Sequence, residues 1–320
     1  MANVFFQGAQ VYQSSGTTDG VYALIQRVQD CRIDYQIPRT TVSNLGRFKP
    51  LNDQPVINYT PVSLSVNFLY SNKDVPRNLG ILNSTGMAVQ IGQGTTVADW
   101  GARSFQIYNS PVTSTNYAGQ WNVVSGIIKS FALAGSVGDA VKGSFNAEAL
   151  DLQQAANVGA RTYPTYSGNL IKPENVTIAG IDFNGLGYSG LIVQSFNLQV
   201  SYDHAQTFRL GTKYPERRMT SAGVSLQLSA FMEGTTNTVT SLTGYDPGAA
   251  MTGAYTLTLT PSCGNDPATT ITLTNPYLMS QSLGVQVGNF IQVDLSFALP
   301  LSIVPFEATG AGMGSNATLV

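Results

Sequence analysis

Charge is scarce in this sequence. Asp, Glu, Lys and Arg make up 11% of the 320 residues, about half of the usual quarter. The net charge is −2 and the pI is about 5.3, which gives no basis for tight electrostatic binding of nucleic acid. So few charges are unusual on a free monomer. The composition favours a protein whose faces are covered by neighbours; the alternative is a secreted or surface β-protein rich in Ser, Thr and Gly.

Histidine is almost absent, and so are catalytic motifs. His204, the single histidine, stands beside Asp203 just after a predicted strand, so we expect a loop residue and not a catalytic base. The chain lacks the closely spaced ligands of a metal site and the motifs of phosphate-binding loops, nucleophile elbows and zinc proteases. A carboxylate pair able to cleave glycosides stays open, because distant acids can meet in a fold. We predict no enzymatic activity, no catalytic residue, no metal and no cofactor.

Cysteine is scarce too, and long apolar runs are missing. Cys31 and Cys263 are too few for a disulfide framework, and Cys31 falls on the apolar side of a predicted strand, where a buried thiol is expected. No run approaches the roughly 20 apolar residues of a transmembrane helix. The N-terminal sequence MANVFFQGAQVYQ has no signal-peptide pattern. We therefore predict a protein made in the cytosol, without a membrane partner.

The chain does contain a repeated segment. Val28–Pro50 and Val193–Pro215 share Val-Gln, Leu-Gly and a final Pro at an offset of 165 residues. Apolar residues alternate with polar ones in both copies, at the same offset. The apolar positions are Cys31, Ile33, Tyr35 and Ile37 in the first copy and Phe196, Leu198, Val200 and Tyr202 in the second. A period of two predicts a half-buried strand, and a slip of one residue would invert every side chain.

Other segments recur in the same order. Val62–Tyr70 alternates like Val224–Ala230, 162 positions later, and a loop with basic residues precedes each. A hairpin that turns at Gly138-Asp139 matches one that turns at Gly288-Asn289, 150 positions later. SFQIYNSP and YTLTLTP are predicted strands in corresponding order. We expect a short helix within Asp74–Leu82.

These patterns predict a mainly β protein: a tandem duplication of a β-sandwich or half-barrel with long hairpins and little helix. The N-terminal residues are expected to form either a strand and turn or an arm that adds to a neighbour. A strand is expected within Asn169–Asn184. The predicted division is an N-terminal arm 1–27, a first β domain 25–152, a linker 153–189, a second β domain 190–303 and a flexible C-terminal tail 304–320.

Two features carry a resemblance to a known family. LGRFKP and LGTKYP each lie in a loop between two amphipathic strands, and IIKSFALAGSVGDAVKGSFNAEAL forms the late hairpin. This layout, over both repeats, resembles the tail tube (major tail) proteins of tailed bacteriophages. The resemblance implies a β-sandwich whose hairpins join across six tube domains into the inner barrel of a hollow tube, with a long loop that contacts the next ring.

The resemblance also implies a location and partners. The protein would be a structural component of the virion tail, assembled in the host cytoplasm and used for genome ejection. Its partners would be itself, the tape measure protein and the tail terminator and initiator proteins, and DNA would pass in transit without specific binding. Because the tube domain is duplicated here, three chains would close a ring of six domains, a homotrimer with pseudo-sixfold symmetry.

The polar faces of the predicted strands are candidates for the wall of the channel, since a water-filled lumen would keep them wet. The predicted lumen-lining residues are Asp30, Arg32, Asp34, Gln36, Lys142, Ser144, Asn146, Glu148, Ser195, Asn197, Gln199, Gln292, Asp294 and Ser296. They carry four acids and two bases, and a mildly acidic wall would let DNA slide. The alternative is that these are ordinary outer faces in solvent.

The basic loops are the second candidate site. The predicted ring-stacking residues are Arg39, Arg47, Lys49, Arg209, Lys213, Arg217 and Arg218. We expect them to pair with acids of the adjacent ring and to set its register. The alternative is solvated charge without a partner, which is common for surface ions.

Other functions stay open. A tandem β-sandwich adhesin or carbohydrate-binding module would be a soluble monomer with an aromatic platform, such as Tyr163, Tyr166 or Trp121. The inner tube of a contractile injection system and a tail-completion protein are related structural alternatives, although no sheath-binding patch is evident. A hydrolase is the least supported, because histidine and paired acids are so few.

Overall fold

The protein is mainly β, as predicted. The computed structural model describes residues 10–14, 22–35, 61–71, 74–79, 81, 88–91, 103–109, 119–155, 170–181, 191–208, 210, 214–232, 254–260, 269–274, 276–284, 291–301 and 306–308. Strands dominate these residues, and the one α-helix among them is α1 (Asp74–Asn78). Pro76 lies in its first turn, where the missing N–H costs nothing. The expectation of a short helix in this segment is confirmed.

The described strands are numbered in chain order. They are β1 (Gln10–Ser14), β2 (Tyr22–Leu24), β3 (Val28–Tyr35), β4 (Val62–Leu69), β5 (Ala88–Ile91), β6 (Arg103–Asn109), β7 (Gly119–Ser136), β8 (Lys142–Ala149), β9 (Asp151–Ala155), β10 (Val176–Ala179), β11 (Leu191–Thr207), β12 (Glu216–Met232), β13 (Ala254–Leu259), β14 (Thr269–Thr274), β15 (Tyr277–Gly284), β16 (Ile291–Leu301) and β17 (Phe306–Ala308).

Eight of these strands form one continuous antiparallel sheet, in the order β3-β4-β8-β7-β11-β12-β16-β15. We call β3, β4, β8 and β7 the first unit and β11, β12, β16 and β15 the second unit. The two units have the same strand order along the chain and across the sheet. They meet where β7 pairs with β11, and we call this junction the seam.

The two units also share their register. All eight residue pairs between β4 and β8 recur between β12 and β16 when the numbers are shifted by 162 and 150. The irregularity after Val28 in β3 recurs after Val193 in β11, and the one after Ile128 in β7 recurs after Leu278 in β15. Bulges bend a strand and increase its twist, so both units bend at equivalent places.

Core volumes are exchanged between equivalent pairs of the two units. In the first unit Phe68 pairs with Gly143, and a Cβ on Gly143 would lie only 2.4 Å from the Phe68 ring. In the second unit the equivalent pair is Ala230 and Val293, both buried. The first unit combines a large side chain with a residue that has no side chain, and the second unit combines a small side chain with one of medium size. Such compensation is expected because protein interiors are packed as densely as organic crystals.

A second sheet covers the apolar face of the first. Its order is β10-β13-β14-β5, with β14 and β5 parallel. Tyr255 of β13 meets Phe297 of β16 edge-to-face at 5.2 Å, and the Tyr70 hydroxyl donates to Thr269 Oγ1 of β14 at 3.1 Å. Apolar side chains of both sheets belong to one buried cluster. The protein is therefore a two-layer arrangement that leaves the other face of the eight-strand sheet polar.

A third group of strands extends from the first half of β7. Here β7 pairs with β6 and β9, and β6 continues to β1 and β2. Residues 10–14 and 22–24 therefore form two paired antiparallel strands within the chain's own sheet. The two strands predicted in corresponding order along the chain are present as β6 and β13, but they lie in different sheets, because β13 belongs to the second sheet. The strand expected within Asn169–Asn184 is β10; the predicted domain boundaries stay predictions.

Candidate assembly surfaces

The predicted lumen-lining residues lie together on the polar face of the eight-strand sheet, except Gln36, which is outside the described residues. Hydrogen bonds run across this face from strand to strand. Asn146 accepts a bond from the Ser65 hydroxyl and donates from Nδ2 to Ser130 Oγ at 2.9 Å. In the second unit, Gln292 Nε2 donates to Ser229 Oγ at 3.1 Å. The sequence placed these residues on one side of each strand, and the sheet joins the strands into one surface.

The polar face of the second unit carries a local depression. A shallow concavity of about 370 Å³ opens on it. Its polar lining residues are Ser195, Asn197, Gln227, Ser229, Ser280, Ser282, Asp294 and Ser296. All are small or uncharged except Asp294, whose carboxylate accepts a hydrogen bond from Gln292 at 3.1 Å. A polar surface whose described residues form no cluster of cations is suited to face water.

The two bases predicted for this face are paired within the chain. Arg32 Nε lies 2.9 Å from a carboxylate oxygen of Asp34, and Lys142 Nζ lies 3.1 Å from Asp139. All four side chains are more than half exposed, so these pairs contribute little to stability. They do reduce the attraction of the surface for phosphate.

Most predicted ring-stacking residues lie outside the described part of the chain. These are Arg39, Arg47, Lys49, Arg209 and Lys213. Arg217 and Arg218 were expected in a loop but lie in β12, because the β11–β12 hairpin is longer than predicted. For the same reason His204 lies within β11 and not in a loop. The side chain of Arg218 lies outside the described part of the chain.

Arg217 connects the two units from a buried position. Only 6% of its side chain is exposed, and its Nη2 lies 3.5 Å from Glu148 Oε1. Its Nη1 donates to the Glu148 carbonyl at 2.8 Å and to the Ser125 carbonyl at 3.4 Å. Gln206 of β11 also donates to the Glu148 carboxylate. Arg217 thus stabilises the fold beside the seam, and the charge of Glu148, predicted to face the lumen, is compensated inside the chain.

His204 lies beside this cluster. Burial lowers the pKa of His204 from 6.5 to about 4, and the positive charges of Lys129 and Arg217 act in the same direction. Glu148 and a backbone hydrogen bond at Tyr202 act against them. His204 Nδ1 is buried without a hydrogen-bond partner among the described residues. The folded chain therefore holds this imidazole neutral at mildly acidic pH.

We expect a loss of stability on acidification that depends on His204. Between pH 6.5 and about 4 the unfolded chain takes up a proton at His204 that the folded chain does not, so the free energy of unfolding falls as pH falls. The contribution is about 1–2 kcal/mol, after allowance for partial exposure. Urea unfolding at pH 7 and pH 5 should show a smaller acid-induced loss for His204→Gln. If the original protein and the His204→Gln variant lose the same free energy of unfolding between pH 7 and pH 5, His204 is not the source of the pH dependence.

The outer strands β3 and β15 form the two edges of the eight-strand sheet. Within the described residues β3 pairs only with β4, and β15 only with β16. Tyr35 on β3 is 47% exposed, whereas its counterpart Val200 on β11 is 0% exposed because the seam covers it. Cys31 is half-buried, and burial raises the pKa of its thiol to about 12, as expected for a covered thiol. Cys263 lies outside the described residues.

Comparisons with known proteins provide no relative from which to infer function. No protein-family model matches the chain, and no curated protein matches it. In the described part, no helix is long and apolar enough to cross a membrane. The same residues include no group of three or more His, Cys, Asp or Glu placed to bind a metal ion. Of the proposed aromatic platform, only Trp121 is described; it lies half-buried in β7.

Proposed function

We propose that this chain is a structural subunit of a bacteriophage tail tube. It assembles as homotrimeric rings with pseudo-sixfold symmetry, which stack into the hollow tube used for genome delivery. The observation that carries the proposal is the seam. It pairs β7, the last strand of the first unit across the sheet, with β11, the first strand of the second unit. The equivalents of these two strands, β15 and β3, are the edges at the two ends of the eight-strand sheet.

A second copy of the chain would continue the sheet by repeating the seam. β7 and β11 pair inside the chain, and their equivalents are β15 and β3. Exposed sheet edges readily template pairing with another strand. Pairing β15 of one copy with β3 of the next would satisfy both edges and cover the apolar side chain of Tyr35.

The internal register predicts the register between copies. Leu133 pairs with Leu198 across the seam; offsets of 150 and −165 convert this pair into Leu283 and Ile33. Both are partly buried against the core, as expected for side chains at an incomplete junction. Next to them the seam pairs Gly135 with Phe196. The equivalent residues by sequence are Val285 and Cys31, which again combine one larger and one smaller side chain.

Such a contact joins different surfaces of two copies, so it forms a ring if the rotation closes. Three chains would supply six units, so the ring would contain three times the eight strands that one chain contributes. Porins with roughly 16–18 strands already leave an aqueous channel, so this ring would enclose a wide lumen. The polar face, on which Arg32 and Lys142 are each paired with an acid, would line it and let DNA pass. Tape measure, terminator and initiator proteins are the partners that the family resemblance implies.

Electron microscopy of the purified chain at increasing concentration tests this function. We expect rings or hollow tubes, and native mass spectrometry of isolated rings should give three times the 34.0 kDa chain mass. Six chains in a ring would contradict the trimer while leaving the tube role. Compact monomers alone, even with tail-initiation components added, would contradict the proposal. They would favour a tandem carbohydrate-binding module, to be tested by glycan screening.

A further inference from the structure

The seam ends before the β11–β12 hairpin does. β7 and β11 pair only as far as Ser130 and Ser201. Beyond that point β11 continues to Thr207 and pairs only with β12 among the described residues. We call the strand segments 203–207 and 216–221 the hairpin extension. β7 changes partners at the same place, because its first half pairs with β6 and β9.

Irregular backbone marks the place where the extension begins. The register between β11 and β12 shifts by one residue between Asp203 and His204. β7 carries its own irregularity between Ile128 and Ser130. Irregularities of this kind bend a strand and increase its twist. The chain is therefore built to bend at the base of the extension, and the direction of the extension depends on its contacts with the first unit.

Those contacts converge on Glu148 of β8. Arg217, in the extension, reaches both the backbone carbonyl and the carboxylate of Glu148. Gln206, on the other strand of the extension, donates to the same carboxylate. Lys129, at the irregularity of β7, lies 3.9 Å from it. One carboxylate thus connects both strands of the extension to the first unit.

The second unit has the same architecture without these charges. Met279 stands where the first unit has Lys129, since both lie at the equivalent irregularity. Ala298 stands where the first unit has Glu148. A four-strand unit therefore folds without an ion cluster at this place. We conclude that the cluster serves the contact with the hairpin extension and not the fold of the unit.

His204 gives the cluster a charge that depends on pH. Its Nδ1 is buried without a hydrogen-bond partner among the described residues. The charged groups that act on its imidazole are Lys129 of β7, Glu148 of β8 and Arg217 of β12. Asp203, its neighbour on β11, instead accepts a hydrogen bond from Ser221 at 2.6 Å. A proton on His204 would place three cations around one carboxylate in a site where burial penalises charge.

We propose that this cluster is an acid-sensitive latch. At neutral pH, Glu148, Arg217 and uncharged His204 hold the hairpin extension against the first unit. Acidification releases the extension before the eight-strand sheet unfolds. The latch needs no other molecule, and the inference does not rest on the proposed function.

The direction and range of the pH response follow from His204. Burial holds its pKa at about 4 in the latched chain, and an open extension returns it to the ordinary value of 6.5. The open extension therefore takes up a proton that the latched chain does not, so acid favours opening. The latch is at full strength above pH 6.5 and weakens progressively as the pH falls towards 4.

Hydrogen exchange of the unassembled chain, followed by mass spectrometry, tests the latch. Between pH 7 and pH 5 the opening of the hairpin extension should increase about tenfold, after correction for the intrinsic pH dependence of exchange. At both pH values the extension should exchange faster than β4 and β16, because it opens without unfolding the core. If the extension is protected as strongly as β4 and β16, it opens only by global unfolding and the inference is overturned.

Three variants assign the response to the cluster. His204→Gln should abolish the pH dependence of opening, because glutamine does not titrate. Lys129→Met, which introduces the residue of the second unit, should reduce the response, because one of the two cations that oppose protonation is removed. Asp203→Asn changes a carboxylate that bonds to Ser221, so this chain should respond like the original. An unchanged response in His204→Gln or in Lys129→Met would refute the latch.

Glu148→Gln tests the anion of the latch. It keeps the shape of the side chain but removes the charge that holds Arg217. We expect the extension of this variant to open at least about tenfold more at pH 7, while it still exchanges faster than β4. Unchanged protection of the extension at pH 7 would show that Glu148 does not hold it. If this variant does not fold, His204→Gln and Lys129→Met decide the question.

Discussion

Oxidation of a chain that carries Asp34→Cys and Ser282→Cys is expected to produce a covalent ladder that ends at the trimer. Inside the seam, Gln199 pairs directly with Ala132. The offsets that relate the two units convert this pair into Asp34 of one copy and Ser282 of the next. Directly opposed residues in an antiparallel pair have Cα atoms about 4.5–5.5 Å apart, within the range that a disulfide requires. Non-reducing electrophoresis would show the products.

A shifted cysteine pair is the matched control. Asp34→Cys combined with Ser280→Cys moves one partner by two residues on the same face, to a diagonal separation of about 7–8 Å. We expect a much lower yield of covalent trimer from this chain. Equal yields from both pairs would contradict the predicted register. Rings without cross-linking at 34 and 282 would contradict the extension of the seam between copies.

The largest expected effect on stability concerns Phe68 and Gly143. Gly143→Val alone should destabilise the protein by about 3 kcal/mol, because its Cβ would lie 2.4 Å from the Phe68 ring. Phe68→Ala alone should cost about 3–5 kcal/mol, since it empties a buried site. The double variant recreates the Ala230–Val293 pair of the second unit. We expect it to recover about 2 kcal/mol or more relative to the sum, measured by urea unfolding.

A second double variant tests whether this recovery is specific. Gly135→Val crowds Phe196, with a Cβ 2.6 Å from that ring, and none of the three atoms nearest to that Cβ belongs to Phe68. Phe68→Ala combined with Gly135→Val should therefore be additive within about 0.5 kcal/mol. Additive behaviour of Phe68→Ala with Gly143→Val would show that the volume exchange between the units is accidental.

The sequence by itself determined the local features of the fold. Alternation of polar and apolar residues identified β3, β4, β11 and β12 and the face that each presents to the core, because side chains in a strand alternate with a period of two. The offsets of 165, 162 and 150 residues match the observed strand pairings. The short helix was predictable too, since Pro76 is compatible only with its first turn.

Only the tertiary structure decided how these elements meet. Alternation does not specify the neighbour of a strand, so the seam and the two sheet edges did not follow from the sequence. Nor did the separation of β6 and β13 into different sheets. Arg217 shows the physical reason. Its guanidinium group contacts both the backbone carbonyl and the carboxylate of Glu148, a residue 69 positions away in the chain. Contacts between distant segments depend on which strands are neighbours in the sheet. That spatial order is set by the packing of the whole core.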